Sequence, residues 1–118
     1  MTNPLDEAKA TIRTDLFGGR GSVRIWDLGA RTPPFSATLF CELDANGTVG
    51  RHQQESEVEQ VVVVEGSATI TVSGRAHTCV RGSAVAVPLG AILAIDNGPA
   101  PLRYLIIKAS RSASVVRP

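Results

Sequence analysis

Turn-forming residues punctuate this chain at intervals too short for long helices. Gly18-Gly19, Gly21, Pro33-Pro34, Asn46-Gly47, Glu65-Gly66, Ser73-Gly74, Arg81-Gly82, Pro88, Gly90 and Asn97-Gly98 divide it into short runs rich in Val, Ile, Thr and Ala. Branched side chains of that kind suit a pleated, half-buried surface better than a helix bundle. The spacing is the one expected of an all-β sandwich or barrel. It predicts strands near residues 11–17, 22–28, 36–44, 48–54, 58–65, 67–73, 76–80, 83–88, 91–97 and 102–108. In Ala68-Thr69-Ile70-Thr71-Val72 the apolar residues share one face and the threonines the other. Val61 to Val64 and Ala84 to Val87 are apolar on both faces, which predicts a second covered surface and hence a homodimer. The one helix candidate runs from Pro4 to about Ala10, with Asn3 as its cap and Asp6 and Glu7 near its N-terminal end.

A chain of 118 residues fits one domain, with a barrel core over residues 22–108 and a polar tail over 109–118. Twelve Lys and Arg stand against eleven Asp and Glu, so no strong field favours nucleic acid. No apolar run approaches the ~20 residues that span a bilayer, and the first residues lack the pattern of a signal peptide. A cytoplasmic protein with neither nucleic acid nor membrane as partner is expected. Cys41 and Cys79 are too few for a disulfide framework and read as buried free thiols.

Two longer patterns carry more information. From Gly82 to Asn97 the chain reads G-x5-P-x-G-x2-L-x3-N, with Pro88, Gly90, Leu93 and Asn97 at the fixed positions. From Asn46 to Gly66 it offers Asn46, His52, Gln54, Glu59 and Gly66 at another set of fixed spacings. Asn is the commonest substitute for Gly where φ must be positive. Together the stretches resemble the two motifs of the cupin family, G-x5-H-x-H-x3,4-E-x6-G and G-x5-P-x-G-x2-H-x3-N. Gln54 stands at one histidine position and Leu93 at another. The resemblance covers roughly residues 36–108 and implies a small single-domain cupin. Its fold would be a jelly-roll β-barrel of about 9–10 antiparallel strands, commonly paired as a dimer.

The resemblance also implies that His52, Gln54, Glu59 and Leu93 converge inside the barrel. A typical member offers three histidines and one glutamate to a divalent transition metal. Here Gln54 supplies only a neutral amide and Leu93 supplies nothing, so no metal cofactor is expected. Were one held, its ligands would be His52, Gln54 and Glu59. His77, the only other histidine, is expected too far along the barrel to help. Without a metal, a buried Glu59 needs a partner, and a hydrogen bond to His52 is the simplest arrangement.

The function that follows is small-molecule binding in the barrel interior without a conventional metal centre. Binding residues would be His52, Gln54, Glu59, Leu93, Phe40 and Val61. One alternative is a metal-independent isomerase, epimerase or lyase, with His52 and Glu59 as a catalytic acid–base pair. Another is a dioxygenase-like metalloenzyme with an incomplete ligand set. Arg51 and Arg103 are read as surface residues, Trp26 as a packing residue, and Tyr104 as a residue of the barrel rim.

Overall fold

The computed structural model describes residues 3–110. Ten strands follow in chain order: β1 Thr11–Thr14, β2 Ser22–Asp27, β3 Phe35–Leu43, β4 Thr48–Gln53, β5 Glu57–Glu65, β6 Ala68–Val72, β7 Arg75–Cys79, β8 Ala84–Val87, β9 Ile92–Asn97 and β10 Leu102–Ser110. They form a six-stranded sheet in the order β1-β2-β3-β10-β5-β8 and a four-stranded sheet in the order β4-β9-β6-β7. Every strand pair is antiparallel. The chain is all-β, a jelly roll. Among the described residues no helix is long and apolar enough to cross a membrane.

Period-two alternation decides which side chains enter the core. On β5, Glu59, Val61 and Val63 are buried, and on β10 Leu102 and Tyr104 are buried. Val61, Val63, Leu102 and Tyr104 meet Ile70, Leu93 and Ile95 of the other sheet in one apolar core. The β6–β7 hairpin turns on Ser73 and Gly74, at φ 47° and 81°. Two successive positive φ values match the right-handed twist of the flanking strands. Asn46 has φ 59°, the left-handed conformation its place in the first motif requires.

The N-terminal end departs from expectation in two ways. The predicted helix is a single 3-10 turn, Glu7–Lys9, capped by Asp6 rather than Asn3. Trp26 packs beneath this segment, and its Nε1–H donates to the Asp6 carbonyl at 3.0 Å. The strand predicted over residues 11–17 ends at Thr14, because Asp15 and Phe17 both have positive φ and cannot continue an extended ladder. Leu16–Gly18 forms a second 3-10 turn instead. At the other end β10 continues through Ala109 and Ser110, so the strand claims two residues assigned to the tail. Residues 111–118 lie outside the described part of the chain.

The outer face of the large sheet carries an apolar row. Ala84 pairs with Val62, Val62 with Leu105, Leu105 with Phe40, and Phe40 with Trp26. The apolar character of Val62, Ala84 and Ala86 therefore belongs to this outer face. Val61, Val63, Val85 and Val87 fill the core.

Candidate functional site

Between the sheets lies a cavity of about 430 Å³. That volume falls within the range of small-molecule sites. Its apolar wall includes Leu39, Val49, Leu93, Ile95 and Ile106, and its polar groups include Cys41, His52, Gln54, Glu59, Tyr104 and Lys108.

β4 and β9 bring His52 and Leu93 side by side as a register pair. Val49 is buried on the same strand, although residues 49 and 52 would face opposite ways on a regular one. A register shift between them resolves the conflict. One extra residue turns the strand over, so Val49 and His52 both line the cavity. Leu93 is 2% exposed and forms part of the cavity wall. Gln54 follows the end of β4, is buried, and also lines the cavity.

The tip above His52 is built by close backbone contact. A Cβ on Gly50 would lie 1.9 Å from the Phe17 carbonyl oxygen, and one on Gly19 would lie 2.1 Å from that of Thr48. Only glycine allows this approach. It seats the Phe17 ring on the His52 imidazole, with centroids 3.9 Å apart and planes 12° from parallel. His52 Nδ1 lies 3.0 Å from the Gly50 carbonyl oxygen. A carbonyl can only accept, so Nδ1 carries the proton, and the neutral ring keeps a lone pair on Nε2.

Glu59 does not form the expected hydrogen bond to His52 through its free oxygen. Oε1 is buried with no hydrogen-bond partner among the described residues. The other oxygen, Oε2, lies 3.7 Å from Lys108 Nζ. The cause is strand register: Lys108 on β10 pairs directly with Glu59 on β5. Cross-strand partners meet at close range, whereas His52 belongs to the opposite sheet. Burial pushes the Glu59 carboxyl above its usual range, against the opposing pull of the Lys108 ammonium.

Tyr104 and Cys41 face each other as a β10–β3 register pair, and both line the cavity. Burial raises the Cys41 thiol to about 12 and drives the Tyr104 hydroxyl well above 10.0. Tyr104 is thus an interior residue of the cavity, 2% exposed, and not one of the rim.

Other expected residues stand elsewhere. Phe40 points away from the cavity and meets Trp26 edge-on at 5.9 Å, while its neighbours Leu39 and Cys41 take the inward positions. Val61 is fully buried in the core but does not line the cavity. Arg103 is on the outer face, paired with Glu42 and Glu65. His77 lies on β7, away from the cavity. Lys108, Tyr104 and Cys41 were not expected in the site, and neither was Arg13, which lines the cavity beside Phe17. Lys108 had a signal: the inward series Leu102, Tyr104, Ile106, Lys108 has period two.

The residues at the four metal-ligand positions do not fit a divalent cation. They are an imidazole, an amide, an aliphatic chain and a carboxylate whose Oε2 faces an ammonium. Among the described residues no three His, Cys, Asp or Glu side chains converge as a metal-binding group. Lys108 supplies a cation beside Glu59 from the protein itself.

No protein-family model matches the sequence, and no curated protein matches it. Similarity appears in three dimensions. A predicted oxalate decarboxylase from Thermotoga maritima superposes with TM-score 0.80 at 20% identity, over 86% of this chain and 92% of that one. A Cupin 2 conserved barrel domain protein from Salinispora arenicola gives TM-score 0.74 at 17% identity, over 96% and 91%. The polyketide cyclase RemF from Streptomyces resistomycificus gives 0.68 at 22% identity, over 92% and 80%. Identities this low speak for architecture rather than chemistry. The two sheets, the motif glycines and these neighbours establish the chain as a small protein of the cupin fold.

Proposed function

We propose that this protein binds a compact, largely apolar small molecule inside the barrel, without a conventional metal centre. The observation that carries this reading is the buried Oε1 of Glu59, which has no hydrogen-bond partner among the described residues and belongs to a residue lining the 430 Å³ cavity. A buried acceptor left unpaired costs about 1–3 kcal/mol, and a ligand donor that reached it would recover much of that. The apolar wall formed by Leu39, Leu93 and Ile95 suits the body of such a ligand. Glu59, His52 and Lys108 supply its polar contacts, with Gln54 at the edge. The apolar row on the outer sheet supports a homodimer, which sedimentation of the purified chain would test.

Saturation-transfer NMR against a set of monocyclic hydroxyl and amino compounds tests the binding reading. Hits should bind the native chain and weaken about tenfold in Glu59→Gln, where an amide replaces the acceptor pair. A set without hits, or hits indifferent to Glu59→Gln and Leu93→Trp alike, would refute it.

A further inference from the structure

Three groups in this cavity differ in what they can do for a ligand. Glu59 Oε1 is a buried acceptor with no hydrogen-bond partner among the described residues. Lys108 is a cation 3.7 Å from the other oxygen of the same carboxylate. His52, with Nδ1 engaged by Gly50, offers Nε2 as an acceptor. Glu59 is 6% exposed, so a proton held there is shielded from bulk water. A base and a fixed positive charge, close together in a largely apolar enclosure, are the parts that proton abstraction beside a carbonyl requires.

We propose that the site catalyses proton transfer on small α-hydroxyketones with an apolar body, Glu59 removing the α-proton, Lys108 holding the carbonyl oxygen and His52 accepting from the hydroxyl. This rests on the binding reading above and assigns its ligand class. In the step, the α-C–H bond breaks and the proton bonds to Glu59 Oε1. The C–H electron pair becomes the carbon–carbon double bond of an enediolate. The carbonyl π pair moves to oxygen, where the new negative charge lies against the Lys108 ammonium. Return of a proton from Glu59 restores the ketone. Return to the former carbonyl carbon, with proton transfer from the hydroxyl to the enediolate oxygen, yields the isomeric hydroxyaldehyde. No external oxidant or reductant takes part. The ammonium serves where charge develops, which is where a preorganised charge lowers a barrier.

The experiment uses the full chain with 2-hydroxy-1-phenylethanone in D2O, following loss of the α-proton signal by NMR. Native protein should accelerate exchange in a saturable way. Glu59→Gln should lower the rate about 100-fold, and Lys108→Gln about tenfold or more. Arg103→Gln, on the outer face, should leave it unchanged. Thermal melts verify that each variant folds. If Glu59→Gln does not fold, Glu59→Asp, which withdraws the carboxylate by one methylene, should show a loss in the same direction. Saturation transfer on the same samples reports binding independently. Binding without exchange overturns the proton-transfer assignment and leaves the binding reading standing. Exchange that survives in both Glu59 variants overturns the role of Glu59. Absence of both binding and exchange overturns the ligand class together with its chemistry.

Discussion

Replacing Lys108 with Met removes the only cation within salt-bridge distance of Glu59 among the described residues. At 3.7 Å the two unit charges attract by about 4 kcal/mol at an effective dielectric constant of 20. Lys108 is 30% exposed, so water competes for it, and its long side chain loses rotamer freedom in the pair. The net loss expected at pH 7.5 is therefore about 1–2 kcal/mol. In a domain of this size that lowers Tm by roughly 4–10 °C. The sign of the pH dependence follows from Glu59. Its carboxyl is already raised above 4.5 by burial, and loss of Lys108 raises it further. In Lys108→Met the ionised form is therefore penalised more, and the penalty is felt only where Glu59 must ionise. The Tm difference between native and variant should be largest at pH 7.5 and shrink toward zero as pH falls toward 4.5. Differential scanning fluorimetry across pH 4.5–8 measures it. A Tm loss of equal size at every pH would show that Lys108 acts through packing alone and would refute the charge pairing.

Glu59→Gln gives the complementary curve: relative to native, the variant should gain stability as pH rises above 4.5, since the native carboxyl has to give up a tightly held proton there, and a flat difference would contradict its raised affinity. Leu93→His with Gln54→His and Lys108→Met should create measurable Ni or Zn binding by calorimetry, because all three positions line one cavity with His52 and Glu59; unchanged affinity would mean the new imidazoles do not converge. Gly50→Ala should lift Phe17 off His52 and destabilise the fold by about 1–3 kcal/mol in urea titrations, since the new methyl group would sit 1.9 Å from a backbone oxygen. Cys41, raised from 9.0 to about 12, should alkylate on the order of 1000-fold more slowly than an unperturbed thiol below pH 9, as mass spectrometry of iodoacetamide-treated native protein would show.

The strand plan was readable because turn chemistry is local. Ser73-Gly74 and Asn46 announce positive φ by residue type, and both adopt it. Asp15 and Phe17 do not announce it, and there the predicted strand stopped early. On β3 the run Leu39-Phe40-Cys41 is apolar on both faces, so period two identified the two faces without choosing which was inside; Phe40 was placed inward and is outward. The place of Leu93 in the interior with His52 was implied by the resemblance to the cupin motifs and not by spacing alone. The period of β10 pointed Lys108 inward, but its meeting with Glu59 was not legible, because it depends on which strand lies next to β5, a pairing between residues distant in sequence. The expected His52–Glu59 hydrogen bond failed for the same reason: the two belong to different sheets.

The surplus residue in β4 makes the interior lining a matter of counting. Pairing that residue into a regular ladder would set Val49 and the imidazole on opposite sides of the sheet, and one of them would have to face solvent. Excising Arg51, which does not border the cavity, would instead leave the two residues two apart on an even ladder, both still turned toward the chamber.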